Sequence, residues 1–294
     1  MIAQADFNQQ VEELYSQDTT NTLTSAKIKG HLGEELLIVW DTENKELALN
    51  TDNKKVSKTQ QIESKYGVST KEALNMQINE GGKIYKNGKW VNATSAEIQQ
   101  YFIPSQENIE KYKYQFLNLS APAGVSEEEA AAYLKNKGIL EGQAATFIKA
   151  AKENNINEIY LMAHACLETG NGTSTLAKGV PYNGVVVYNM FGIRAVDRDP
   201  IGQGAAYAYK MGWTTPEKAI LGGAKFISEQ YINREDYKQD TLYEMRWNPA
   251  SPGTHQYATD VGWAVKQAVW IQKIYESFDN PDITFDIPKY RGTY

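Results

Sequence analysis

Apolar residues follow two textures along the chain, and the change falls near residue 115. Ahead of it they come in short runs and alternations. Residues 35–40 and 46–49 read as two short strands, with residues 41–45 as their turn. Residues 71–79 carry a short helical pattern. Residues 83–91 form the clearest hairpin: Ile84 and Tyr85 alternate on one arm, Trp90 and Val91 on the other, and Asn87-Gly88 supplies the turn. Thr94 or Ser95 caps a helix through Tyr101, Glu97 is placed for a capping box, and Pro104 stops it.

Beyond residue 115 the period lengthens. Ser126 and the acids at 127–129 open a helix that Gly138 closes. Residues 142–154 and 156–168 make two more, the second apolar on most sides and therefore buried. Thr215-Pro216 starts a helix to Tyr231, with proline in its first turn, and residues 260–278 make the last long one. Between residues 180 and 212 glycine mixes with β-branched and aromatic side chains. There, residues 184–188 and 204–209 read as a small β-lobe set between helices, while no periodicity follows Pro281. The expected fold class is α+β, mainly α. Its expected parts are a mixed segment over 1–111, a helical domain over 112–280 and a tail over 281–294.

Composition narrows the function classes. The 294 residues carry 30 Lys and Arg against 36 Asp and Glu, a net charge of −6 without a basic arm. That balance argues against a nucleic-acid partner gripped through its phosphates. The longest apolar stretch, residues 36–40, is too short to span a bilayer, so no membrane insertion is expected. The first residues lack the basic and apolar regions of a signal peptide, with Asp6 interrupting them early. The single cysteine, Cys166, excludes an intrachain disulfide and a cysteine-based zinc site, and reads as a buried structural residue. Neither a phosphate loop nor a dinucleotide fingerprint occurs, so no cofactor is expected. The 19 Tyr and 6 Trp against 8 Phe fit either amphipathic packing or a groove that stacks on sugar rings.

Chemistry concentrates in HACLETGNGTS, residues 164–174. Glu168 ends a buried helix, and Gly170 and Gly172 terminate it. The negative end of the helix dipole and the apolar Leu167 both disfavour ionisation of Glu168 and raise its pKa. A carboxyl that keeps its proton near neutrality suits a general acid. A helix-terminal Glu paired with a Lys or Arg is the other reading of the same residues. His164 and Glu168 lie four apart, a spacing that two metal ligands can use. His31 and His255 belong to no spaced motif, however, and no HExxH occurs, so no metal is expected.

Five runs carry a family resemblance: EIYLMAHACLETGNGTSTLAKG (158–179), YNMFGI (188–193), GWTTPEKAILGGAKFISEQYI (212–232), YKQDTLYEMRWNP (237–249) and HQYATDVGWA (255–264). In this order they resemble the glucosaminidases of glycoside hydrolase family 73, in particular the catalytic domains of Gram-positive autolysins. The resemblance covers about residues 112–278. Residues 68–105 are similar to the stretch preceding that domain, and residues 1–65 resemble nothing familiar. The resemblance implies a lysozyme-like helical fold with a small β-lobe across a groove. It implies hydrolysis of the β-1,4 bond between N-acetylglucosamine and N-acetylmuramic acid, with peptidoglycan glycan strands as the partner. It implies a monomer acting on the cell wall, secreted or phage-associated. It places Glu168 as the catalytic acid and Tyr257, in YATD, beside it. Asn189 is expected on the sugar or orienting the lobe, and Trp213, Trp247 and Trp263 in the groove or the core.

Most glycosidases use a second carboxylate, about 5 Å from the acid in retaining enzymes and about 6.5–9.5 Å in inverting ones. Asp197 and Asp199 are the candidates, with Arg194 and Arg198 holding them ionised. The resemblance favours Asp197. Attack by the substrate's own acetamide is a third route. A lytic transglycosylase or muramidase on the same fold remains an alternative, as does a non-catalytic wall-binding module.

Overall fold

The computed structural model describes residues 57–195 and 199–292, together with the backbone of 25–29, 35–41 and 46–49. The chain divides into two compact units, Met1–Ser57 and Lys58–Tyr294. In the first, β1 (Ser25–Lys29), β2 (Glu35–Asp41) and β3 (Glu46–Leu49) form an antiparallel sheet in that order. The two strands expected in this region are β2 and β3.

The second unit opens with β4 (Thr59–Ser69), α1 (Thr70–Glu80), β5 (Lys83–Lys86), β6 (Lys89–Asn92), α2 (Ser95–Phe102) and α3 (Gln106–Lys111). Its helical body consists of α4 (Glu127–Leu134), α5 (Ala144–Asn154), α6 (Glu158–Glu168) and α7 (Thr175–Lys178). A small ribbon, β7 (Val180–Tyr182) and β8 (Val185–Val187), follows. Then come α8 (Pro200–Lys210), α9 (Pro216–Ile227), α10 (Leu242–Trp247), α11 (Trp263–Tyr275) and β9 (Ile283–Arg291). The class is α+β, mainly α, as the pattern predicts.

Local chemistry sets these boundaries. Ser69, Thr94 and Ser126 each accept a hydrogen bond from the third helical amide, and Glu72, Glu97 and Glu129 accept one in turn from the cap residue's amide. Asn87 and Gly88 hold φ of 50° and 77° in the hairpin turn. The large core surrounds α6, whose Ile159, Leu161, Met162, Ala163 and Ala165 are each 0% exposed. Each large aliphatic side chain so buried contributes about 1.5–3 kcal/mol. A second, more aromatic core gathers Phe102, Phe116, Tyr243, Trp247 and Tyr290 between α2, α10 and β9.

Three expectations are corrected. Residues 204–209 belong to α8 and not to a strand. Asp199 caps that helix by accepting from the Gly202 amide at 3.0 Å, and Pro200 occupies its first turn. Gly204 is small because α7 lies close: a Cβ there would sit 2.8 Å from Leu176 Cδ1. Second, the tail holds a strand. β9 pairs in parallel with β4, from Thr59 opposite Ile283 to Tyr66 opposite Tyr290. The two ends of the second unit are thus hydrogen-bonded together. Third, the last helix starts at Trp263. Asp260 instead turns onto the Gly262 amide at 3.0 Å and pairs with Lys266 at 2.6 Å.

Candidate active site

Glu168 is the last residue of α6, a helix capped at its start by Asn157, whose side chain accepts from the Tyr160 amide at 3.0 Å. The other end is locked by a tight turn. Thr169 Oγ1 donates to the Ala165 carbonyl at 2.6 Å and accepts from the Gly172 amide at 2.7 Å. Gly172 has φ of 74°, and a Cβ there would meet the Lys137 carbonyl at 2.3 Å. Only glycine lets this turn dock so closely, which fixes where α6 stops and where Glu168 points.

The carboxyl of Glu168 stands between two hollows. One, of about 500 Å³, is lined by Tyr160, His164, Arg194, Tyr231, Met245 and Tyr257 among others. The other, of about 340 Å³, is lined by Ser174, Thr175, Leu176, Pro200 and Ile201 among others. Glu168, Gly192 and Ala195 belong to both, so one groove passes the carboxyl on two sides. Gly192 brings its backbone against the acid: a Cβ there would sit 3.1 Å from Glu168 Oε2. Among the described residues lining these hollows, Glu168 is the one carboxylate.

Burial raises the pKa of Glu168 above the ordinary carboxylate range. The direction is the one expected from the helix end, but the operative cause is desolvation by the groove walls. Tyr257 keeps 36% of its surface open. Its phenol is raised by burial, then by the neighbouring Glu168 and Tyr231, so it stays a hydrogen-bond donor. Its amide donates to the Met245 carbonyl at 2.9 Å. Its ring packs 5.2 Å from Tyr231 and 4.8 Å from Trp263. Tyr231 in turn meets His255 at 4.8 Å. His164 is 8% exposed and stacked between Tyr160 and Phe191. Burial drops its pKa to about 4, so it is neutral at physiological pH and brings no positive charge to the groove.

The other expected site residues are placed unevenly. Asp197 and Arg198 lie outside the described residues. Asp199 is occupied as the cap of α8. Asn189 is 1% exposed, lines the second hollow and organises the loop after β8. Its Nδ2 donates to the Ile193 carbonyl at 2.9 Å, and its Oδ1 accepts from the amides of Phe191 and Ile193 at 3.3 and 3.1 Å. Trp213 and Trp247 are 3% and 1% exposed and pack in the two cores, the second of the places expected for them. Trp263 is half-buried and packs against Tyr257, which lines the groove. Residue-level reading missed Tyr160 and Tyr231. Tyr160, His164 and Glu168 stand four apart on one helix face, a polar stripe on an otherwise apolar helix that marks the groove wall. Tyr231 is set by a π-helical turn, Ser228–Ile232, that ends α9 and leaves no comparable pattern in the sequence.

Comparison with known proteins bears on this arrangement. Residues 144–276 match the family model described as mannosyl-glycoprotein endo-beta-N-acetylglucosaminidase. The fold superposes on S. aureus glucosaminidase B with a TM-score of 0.71 and 39% identity, covering 81% of this chain and 96% of that one. The chain belongs to the glucosaminidase family. Its resemblance to the beta-N-acetylglucosaminidase of Bacillus subtilis (strain 168) reaches 52% identity over 217 residues. That match covers 73% of this chain but 24% of the relative, so the chain spans about a quarter of the relative's length. A catalytic mutant of S. aureus autolysin E, solved with the disaccharide NAG-NAM, superposes with a TM-score of 0.59 at 37% identity. There the coverage is 75% of this chain and 98% of the solved one.

Proposed function

We propose that this chain is a peptidoglycan hydrolase, an endo-β-N-acetylglucosaminidase that cleaves the β-1,4 bond between N-acetylglucosamine and N-acetylmuramic acid. The observation that carries the reading is the desolvated Glu168 carboxyl, set midway along a groove that continues on both sides of it. A groove open past the acid on both sides accepts the interior of a strand. Glu168, kept protonated by burial, donates to the glycosidic oxygen as the bond breaks. The Tyr257 hydroxyl, held in its donor form, hydrogen-bonds the sugar at the reacting centre. Trp263 backs the Tyr257 ring and supports its position. The family assignment, and the NAG-NAM complex of the autolysin E mutant, support the substrate class.

Asp197 is our choice for the second carboxylate, since capping occupies Asp199. Its role is to activate water against the anomeric carbon. Substrate assistance by the acetamide is the second reading, favoured by the absence of another carboxylate among the described lining residues. Asp197→Asn decides between them: a loss beyond tenfold at unchanged folding supports the base, and a change of only a few-fold supports the acetamide. Mass spectrometry of digested peptidoglycan tests the bond. Reducing N-acetylglucosamine ends support this reading, whereas reducing N-acetylmuramic acid or anhydro ends overturn it.

The same proposal places the work outside the membrane, on glycan strands, by a monomer without a nucleic-acid partner. The acidic charge balance supports the last point. Among the described residues, no helix is long and apolar enough to cross a membrane. The matched family region lies inside residues 112–280, which supports that span as the catalytic part.

A further inference from the structure

Away from the groove, three acids converge in the interior. Asp240 lies in the loop before α10, Glu244 on α10 and Asp286 on β9, and they are 2%, 2% and 3% exposed. One oxygen of each lies within 4.8 Å of the other two. Their partners are few. The Tyr66 hydroxyl donates to Glu244 Oε1, and the Ser64 hydroxyl donates to Asp286 Oδ2 at 2.7 Å. Asp240 Oδ2 accepts from the Ser120 hydroxyl at 2.7 Å and pairs with the Lys238 ammonium at 2.6 Å. Glu244 Oε2 and Asp286 Oδ1 are buried without a hydrogen-bond partner.

Buried carboxylate oxygens with no partner are costly, and like charges crowded together are more so. With all three carboxylates ionised, as a bound cation would hold them, the single ammonium leaves two negative charges to be balanced. We propose that Asp240, Glu244 and Asp286 bind a divalent cation of the calcium type. The geometry fits. Calcium takes oxygen ligands at about 2.3–2.6 Å, so ligands on opposite sides of the ion stand about 4.6–5.2 Å apart. A set of oxygens within 4.8 Å closes around one such ion. The donors are all hard oxygens, without the imidazole or thiolate that zinc and copper prefer. Magnesium demands a shorter, near-octahedral shell. The ion would tie β9 to α10 directly behind the groove wall. Met245, beside Glu244, lines the groove and accepts the Tyr257 amide at 2.9 Å.

The test uses the full chain, stripped with a chelator and then titrated with calcium, magnesium or manganese chloride. One calcium per chain is expected by calorimetry, half-saturating at about 10⁻⁴–10⁻³ M as in extracellular calcium modules. At ten times the dissociation constant the melting temperature rises by about 3–6 °C, and magnesium gives less. Asp286→Asn and Glu244→Gln abolish the response. Should either variant fail to fold, terbium serves on the unaltered chain: luminescence sensitised through Tyr66 appears and calcium displaces it. No melting response to any of the three ions, with no terbium signal displaced by calcium, overturns the site. A calcium response that survives both substitutions overturns it too, since the ion then binds elsewhere. A melting temperature that responds to acid alone overturns it in favour of a shared proton. None of these readouts depends on hydrolysis, so they stand or fall apart from the glucosaminidase reading.

Discussion

Glu168 and Glu244 make an instructive pair. Both sit on helices, and burial raises both above the ordinary carboxylate range. Glu168 looks into a groove and owes its shift to burial alone. Glu244 is sealed, 2% exposed, and has Asp240 and Asp286 adding to its shift while Tyr66 opposes it. A perturbed carboxyl therefore does not by itself mark a catalytic one. Access separates them: one acid can hand its proton to an arriving oxygen, and the other can exchange charge only with an ion or proton small enough to enter. Functional-site arguments from shifted pKa values need that second criterion.

Four measurements strain this contrast. The largest effect belongs to Glu168→Gln, which should lower kcat on purified peptidoglycan about 10³-fold or more, without lowering the melting temperature. In the native enzyme the alkaline limb of the rate profile should lie above the ordinary carboxylate range, because activity falls as the raised acid loses its proton. Retained turnover in the Gln variant would remove the catalytic half of the comparison.

Next comes the acid side of stability. His164 is held neutral in the fold, with its pKa lowered from 6.5 to about 4. As pH falls through 6.5 the unfolded chain takes up a proton that the folded chain refuses. Stability is therefore lost between about pH 6.5 and 4, by about 3 kcal/mol in all. Urea unfolding across this range should show the loss, and His164→Phe, an apolar ring between Tyr160 and Phe191, should remove it.

Tyr257→Phe is expected to cost about tenfold in kcat, the worth of one hydrogen bond to developing charge, with little change in KM. An equal rise in KM at constant kcat would instead make Tyr257 a simple binding contact. The smallest effect concerns Glu244. Its raised pKa means that, in chelated protein, stability is present below the ordinary carboxylate range and lost as pH rises through the folded value. Glu244→Gln should flatten that slope and raise the melting temperature by a few degrees at pH 8, about 1 kcal/mol or so for a chain of this size.

Much of the contrast was legible beforehand on one side only. Glu168 was readable because helix end, glycine turn and apolar neighbours are local, and because the motifs around it recur in order. Tyr257 and its neighbourhood came through the same family pattern. The acid cluster was not readable, because Asp240, Glu244 and Asp286 meet through β9, and β9 finds its partner more than 200 positions away in β4. No periodicity is legible after Pro281, and the strand there forms because β4 supplies its partner. Asn189, Trp213 and Trp247 all lie in the recurring motifs, yet all three are buried, Asn189 at the second hollow and the two tryptophans in the cores. Motif membership reports that a residue matters to the fold of the groove. It does not report which side of the wall the side chain faces.

The parallel pairing of β4 with β9 also determines how this unit carries mechanical load. In the antiparallel hairpin of β5 and β6, pulling on the open ends peels one hydrogen bond at a time. In the parallel pair, Thr59 and Arg291 stand at opposite ends of the ladder. Tension applied between those two residues loads the whole ladder in shear, so its bonds must give way together. The pairing therefore makes the junction of the unit's two ends the stiffest path for a load applied across it.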